Sequence, residues 1–275
     1  MGELRPDPKH MTPMTTPLPF SLDWIWSILW ALLRISGFMI VAPFWGHRAV
    51  SPKVKIPIAL VFALGVGPVV ASFSPVAPTS LFEIGGWAMR EIAVGSMIGF
   101  AFATLFWAIR MAGDMVGLQM GFAIVNVIDP TTTGQVSLIG EFKYIIALLI
   151  LLVIDGHHLM IAALVDSYRL VPIGTAFFGD EAYHQIARLT ATMFVTAIKI
   201  GAPVMITLLL TDVALGIVAR TVPQMNIFIV GFPLKIGVGF LVLAASIPFL
   251  TQLFTRTLND IQQSTMQVVN ALAAH

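Results

Sequence analysis

GDMVGLQMGFAIVNVIDP, residues Gly113 to Pro130, is the stretch that decides how the chain must be read. Gly113, Gly117 and Gly121 recur every four residues, so on a helix they form one bare seam. A seam without side chains lets a neighbouring backbone come close, the small-xxx-small logic of packing between membrane helices. Asp114 sits at the start of the seam, and an apolar run continues beyond it to Ile128. Pro130 disfavours helical geometry at Asp129, so the run is predicted to stop there in an irregular turn. Thr131, Thr132, Thr133 and Gly134 then form a polar loop. Irregular backbone at membrane depth is tolerated only where protein or water surrounds it, which already requires a shielding environment.

The surrounding composition is that of an integral membrane protein. The 275 residues are 57% hydrophobic and 11% charged, against roughly 25% charged in a soluble domain. With no cysteine, disulfides and thiolate chemistry are excluded. A net charge of +1 argues against a nucleic-acid partner. Residues 1–20 carry Glu3, Arg5, Asp7 and Lys9, which cancel, and five prolines, and are read as a Pro-rich flexible tail.

Apolar stretches lie near 22–45, 57–73, 81–109, 111–128, 136–154, 157–175, 186–220 and 227–255. Most are interrupted by charge: Arg34, Glu83, Arg90, Glu91, Arg110, Asp114, Glu141, Lys143, Asp166, Lys199, Asp212 and Lys235. One charge at a helix centre costs roughly 2.5–3.5 kcal/mol on insertion. Such residues must therefore face other helices, other subunits or water. Pro57, Pro68, Pro172, Pro203, Pro223, Pro233 and Pro248 sit at or inside the apolar runs, where each is expected to break or kink a helix. The fold class expected is an all-α membrane protein of broken helical hairpins. A division is expected near 180, with residues 21–180 as one helical region and 181–275 as two long helices joined around Val222–Asn226.

Candidate chemistry is sparse. Asp155-Gly156-His157-His158 is the densest set of potential metal ligands, but adjacent histidines diverge by about 100° on a regular helix, and a polar turn is the preferred reading. No metal and no cofactor are predicted. Arg110 and Asp114 are spaced to pair on one helix face, whereas Asp166 and Asp212 are isolated acids. Arg110, Asp114, Glu141, Asp166 and Asp212 are read as polar contacts that fix an assembly; the competing reading makes the acids an ion-coupling relay of a secondary transporter. The pairs Gly113-Asp114 and Gly179-Asp180 match a dipeptide of intramembrane aspartyl proteases, a very weak signal. No GxSxG, HExxH, Walker-type or GxGxxG pattern is present, so no enzyme is predicted. Met111, Met115 and Met120 flank the seam and are soft enough to line a pore or fill a core.

An ordered set of short pieces carries a family resemblance. They are Arg48–Lys55; Glu91–Gly95, which opens a second seam of Gly95 and Gly99; Ala112–Gly121; Ile128-Asp129-Pro130; Asp155–His158; Val165–Tyr168 with Pro172-Ile173-Gly174; Pro223-Gln224; and Val230–Lys235. Over residues 20–255 the chain resembles the R component of the flagellar type III export gate, the FliR family, whose injectisome relatives are the T components. The resemblance implies a non-enzymatic subunit in which a P-like part, residues 21–180, precedes a Q-like helical hairpin, residues 181–275. It implies that one R subunit completes a ring of P subunits flanked by small Q subunits, beside the A and B components of the export apparatus. That assembly lies in the bacterial inner membrane at the flagellar basal body and passes unfolded export substrates. The loop that plugs the closed pore in this family corresponds to Gly121–Thr133. Carried over, Gly121, Phe122, Ile124, Val127 and Ile128 would belong to the plug, with Asp129-Pro130 as its turn. An injectisome subunit is the alternative within the same resemblance.

Overall fold

A computed structural model of the chain describes residues 22–46, 51–71, 80–122 and 137–273. Among them are eight helices and no strand: α1 (Leu22–Val41), α2 (Pro52–Ala71), α3 (Leu81–Met120), α4 (Leu138–Val153), α5 (Gly156–Leu170), α6 (Asp180–Thr221), α7 (Ile227–Ala245) and α8 (Ile247–Ala273). The all-α membrane fold expected from composition is the one observed. Four helices, α1, α2, α3 and α6, are long and apolar enough to cross a membrane. Two further pairs qualify only when taken together: α4 with α5, bent by 74°, and α7 with α8, bent by 51°.

The axis of the fold is α3, forty residues long, which packs against α1, α4, α6, α8 and α7. Its start is specified locally, because the Ser80 hydroxyl accepts from the Glu83 amide at 3.2 Å. Its middle is rich in alanine and aromatic residues, and Ala101, Phe102, Leu105, Phe106, Ala108 and Ile109 are all buried. Arg110, which divides two apolar runs in the sequence, does not interrupt the helix. Its end comes earlier than the apolar pattern predicts. Gly121 adopts φ 95°, the Gly121 amide donates to the Leu118 carbonyl and the Phe122 amide donates to the Gly117 carbonyl, each at 3.1 Å. This is a Schellman termination, which favours glycine at the left-handed position. Hydrophobicity continues past Met120, but the backbone bonds that end a helix are made at Gly121.

Prolines divide into two groups. Pro172 and Pro223 follow the ends of α5 and α6, and Pro248 lies in the first turn of α8 beside the 51° bend. At that bend the Ser246 hydroxyl donates to the Leu243 carbonyl at 2.7 Å. Pro57, Pro68, Pro203 and Pro233, by contrast, lie inside continuous helices. At these four positions the ring does not end the helix. A membrane helix tolerates proline where nearby groups satisfy the freed carbonyls. One turn beyond Pro203, the Thr207 hydroxyl donates to the Pro203 carbonyl at 2.8 Å.

The deepest polar feature joins three elements distant in sequence. Arg34 Nε donates to Glu91 Oε2 at 2.7 Å, Nη1 to the Ser167 hydroxyl at 3.1 Å and Nη2 to the Val171 carbonyl at 3.0 Å. The guanidinium carbon lies 4.2 Å from the centroid of the Tyr168 ring, and the Tyr168 hydroxyl donates to the Ala31 carbonyl at 3.2 Å. The second oxygen of Glu91 accepts from the Gly174 amide at 3.0 Å, while Arg90 donates to the Gly174 carbonyl at 2.6 Å. Gly174 has φ 75°, and a methyl group there would lie 2.6 Å from the Trp87 ring. One ion pair thus pins α1 and α3 to α5 and to the segment that leads into α6.

Removing one member of a fully buried pair leaves an uncompensated charge, at a cost of roughly 3–5 kcal/mol. Arg34→Met and Glu91→Leu should each lower the unfolding temperature of the purified chain in detergent far more than the double variant does relative to their sum. Additive losses in that double-mutant cycle would show that the two charges do not act as a unit.

Candidate functional site

Two glycine contacts set how the bundle closes around α3. At the first, Gly95 and Gly99 face α1. A methyl group on Gly95 would lie 2.8 Å from the Arg34 carbonyl carbon and 2.9 Å from the Phe38 nitrogen, and one on Gly99 would lie 2.8 Å from the Phe38 oxygen. The contact is reciprocal, since Gly37 of α1 abuts the Ile92 backbone and the Ser96 hydroxyl donates to the Gly37 carbonyl at 3.3 Å. At the second, Gly113 meets Gly140 of α4, where a methyl group would lie 2.5 Å from the Gly140 α-carbon. Gly117 faces the Ser137 hydroxyl, which also accepts from the Gly140 amide at 3.1 Å and caps α4.

Gly121 stands apart from this seam. It caps the helix, and its neighbour is the Phe232 ring of α7, which an added methyl group would approach to 2.6 Å. The helical seam toward α4 therefore consists of Gly113 and Gly117, while Gly121 ends the helix because its left-handed φ carries little penalty only without a side chain. Phe122 packs on a second apolar cluster with Val116, Met120, Ile139, Val204, Leu208 and Leu243, and its ring meets Phe240 edge-on at 6.4 Å. Met120 is fully buried in this cluster, a packing role.

The end of α3 and the start of α4 thus lie side by side, joined by residues 123–136. Both ends of that connection are tied down, one by the Gly121 cap and the other by the Ser137 cap. Of the plug residues named from the resemblance, Gly121 and Phe122 belong to this base. Ile124, Val127, Ile128, Asp129 and Pro130 lie outside the described residues.

The candidate polar contacts are distributed differently from the sequence expectation. Arg110 does not turn to Asp114 on its own helix; its Nη2 lies 3.4 Å from Glu141 Oε2 of α4. Asp114 Oδ1 packs against Gly140 and is buried with no hydrogen-bond partner among the described residues. Asp166 and Asp212 are both paired, the first within its own helix at i,i+3 spacing and the second across helices. Asp166 Oδ1 lies 3.5 Å from Arg169 Nη1, and Asp212 forms an ion pair with Lys235 that joins α6 to α7. No three of these acids share a site, so a relay through them has no geometric basis among the described residues.

At the α4–α5 bend, Asp155 has φ 55° and its Oδ1 lies 3.7 Å from His158 Nδ1. The ligand atoms of Asp155, His157 and His158 lie within 4.8 Å of one another. Asp155 and His158 are largely exposed, and the cluster forms the polar turn expected from its position. The buried Arg34–Glu91 network is what the sequence reading missed. Its only signal was one base and one acid in apolar runs far apart, with nothing to assign them to each other.

The glycine contacts grade the cost of added bulk. Gly95→Ala forces backbone apart and should abolish recovery of monodisperse protein. Gly117→Ala meets only a rotatable hydroxyl at 3.0 Å and should shift the unfolding temperature by a few degrees. Gly216→Ala, with nothing within 4 Å, should be neutral or stabilise by up to about 1 kcal/mol through helix propensity. Thermal unfolding followed by circular dichroism in detergent measures all three, and equal losses at the three sites would contradict the seam.

The sequence also matches known proteins over most of its length. Residues 25–261 match the family described as bacterial export proteins, family 1. The chain is similar to the flagellar biosynthetic protein FliR of Bacillus subtilis (strain 168), 40% identical over 229 residues that cover 81% of this chain and 86% of that protein. The FliR of Pectobacterium carotovorum is 32% identical over 231 residues, covering 83% and 87%. The FliR of Escherichia coli (strain K12) is 29% identical over 252 residues, covering 91% and 95%. An apolar all-helical bundle, aligned nearly end to end with these relatives, belongs to the bacterial export proteins of family 1, within the FliR family of flagellar biosynthesis.

Proposed function

We propose that the chain is a structural, non-enzymatic pore subunit of the flagellar protein export gate in the bacterial inner membrane. It would act at the basal body, with P-like and Q-like membrane subunits as partners, the A and B components of the apparatus nearby, and unfolded export substrates as cargo. In this reading residues 21–180 form the P-like part and residues 181–275 the Q-like hairpin, and the segment after Gly121 plugs the closed pore. The three relatives all carry flagellar names, which favours the flagellar reading over the injectisome one.

The observation that carries the plug assignment is the closed base at the end of α3. The connection that begins with the apolar residues FAIVNVIDP leaves the bundle at a Schellman cap and re-enters it at the Ser137 cap, with residues 131–136 between. Rigid attachment of a short apolar segment suits a stopper, which must return to one place after each passage. Wide uncovered apolar faces support membership in an assembly. Only 17% of the apolar window of α6 is buried, and Ile206, Leu209, Leu210, Val213 and Ile217 are exposed. Lipid and neighbouring subunits are the two environments in which such a face is stable.

Deleting Ala123–Thr133 spares Gly121, Phe122 and Ser137, so the base survives. The variant should co-purify with its membrane partners at wild-type yield, yet render cells permeable to small ions when the gate is at rest. Ion-tight cells carrying a fully assembled deletion variant would rule out the plug. Asp114→Asn should leave export intact; export abolished in an assembled Asp114→Asn complex would instead favour ion coupling.

A further inference from the structure

Between α3, α6 and α8 runs a groove of about 410 Å³ whose charge is unmatched. Its floor includes Thr104 and Ala108 of α3, side chains small enough to leave room above them. One wall presents Arg188, Thr192, Thr196 and Lys199 from α6. The other presents Arg256, Asp260, Ser264 and Gln267 from α8. Each wall repeats at intervals of four, four and three residues, so each is one polar stripe along three helical turns.

Elsewhere in the chain four cations are met by carboxylates: Arg34 by Glu91, Arg110 by Glu141, Arg169 by Asp166 and Lys235 by Asp212. In the groove, three cations share one carboxylate, Asp260, and none of the four takes part in an ion pair among the described residues. We infer that the groove receives a helix of a partner membrane subunit that carries carboxylates along one face. Arg188 and Lys199 lie eleven residues apart, about 16 Å along the helix axis, too far for one lipid phosphate to neutralise both. A helix laid between the walls places acids at successive turns, opposite both. The N-terminal tail of the chain is not a suitable occupant, since Glu3 and Asp7 are cancelled by Arg5 and Lys9.

The inference rests on the reading of the chain as a subunit of a membrane assembly. The test places a photo-crosslinking amino acid at Thr192 in the full chain, expressed in cells that make the export apparatus. The expected adduct is a polypeptide linked through a helix bearing Asp or Glu at helical spacing. The double variant R188E/R256E should cut that adduct about tenfold through like-charge juxtaposition. R188K/R256K should retain it, R220E should not affect it, and Lys in place of the captured carboxylates should restore it to the R188E/R256E chain. A lipid adduct, no adduct, or an adduct indifferent to charge reversal overturns the groove assignment while co-purifying partners leave the assembly reading intact. A wild-type chain that recovers no membrane partner overturns both.

Discussion

A single buried ion pair, Arg34 with Glu91, is the constraint on which the arrangement of the bundle depends. Both side chains are fully buried, and between them they bind Ser167, the Val171 carbonyl and the Gly174 amide. Inside a membrane protein the hydrophobic effect does little to choose one helix pairing over another, because lipid is as apolar as the alternative neighbour. Polar contacts and close packing must choose instead. An unpaired Arg34 or Glu91 would carry a penalty of several kcal/mol, so arrangements that separate α1 from α3 are strongly disfavoured. The same network positions the segment that leads into α6.

The glycine contacts act on the same interface by a different mechanism. Gly37, Gly95 and Gly99 bring α1 and α3 to backbone contact, which places Arg34 and Glu91 in reach of each other. Dispersion forces are individually small and fall steeply with distance, so close approach of two backbones multiplies contacts that a leucine would prevent. A second such contact, Gly113 on Gly140, holds α4 against the far end of α3. Because the Gly121 cap and the Ser137 cap lie at that end, the packing that stabilises the bundle also fixes the root of the proposed plug.

Arg34 with Glu91, Arg110 with Glu141, Arg169 with Asp166 and Lys235 with Asp212 are neutralised internally, which lets the chain carry those charges without an aqueous surface beside them. Those of the groove between α6 and α8 are not neutralised and lie along matched helical stripes. A subunit that completes an assembly would be expected to leave some charge open, because internal pairs cannot contribute to choosing a neighbour.

The sequence by itself determined the class of the molecule. Composition excludes a soluble domain, the spacing of Gly95, Gly99 and Gly113 marks helices that touch through backbone, and the ordered motifs identify the family. These are local or compositional signals, and they survive being read along a line. Apolar character alone does not mark the end of α3, because it continues beyond Met120, whereas helix termination depends on hydrogen bonds made by Gly121 and Phe122. Partners were beyond reach for a different reason. Arg34 lies 57 residues from Glu91 and 133 from Ser167, and no periodicity relates residues on separate helices. Arg110 could equally have met Asp114, one turn away, but close packing of Gly113 on Gly140 brings Glu141 to it instead. Which charges pair, and which remain open to a neighbour, was decided only when the helices came together.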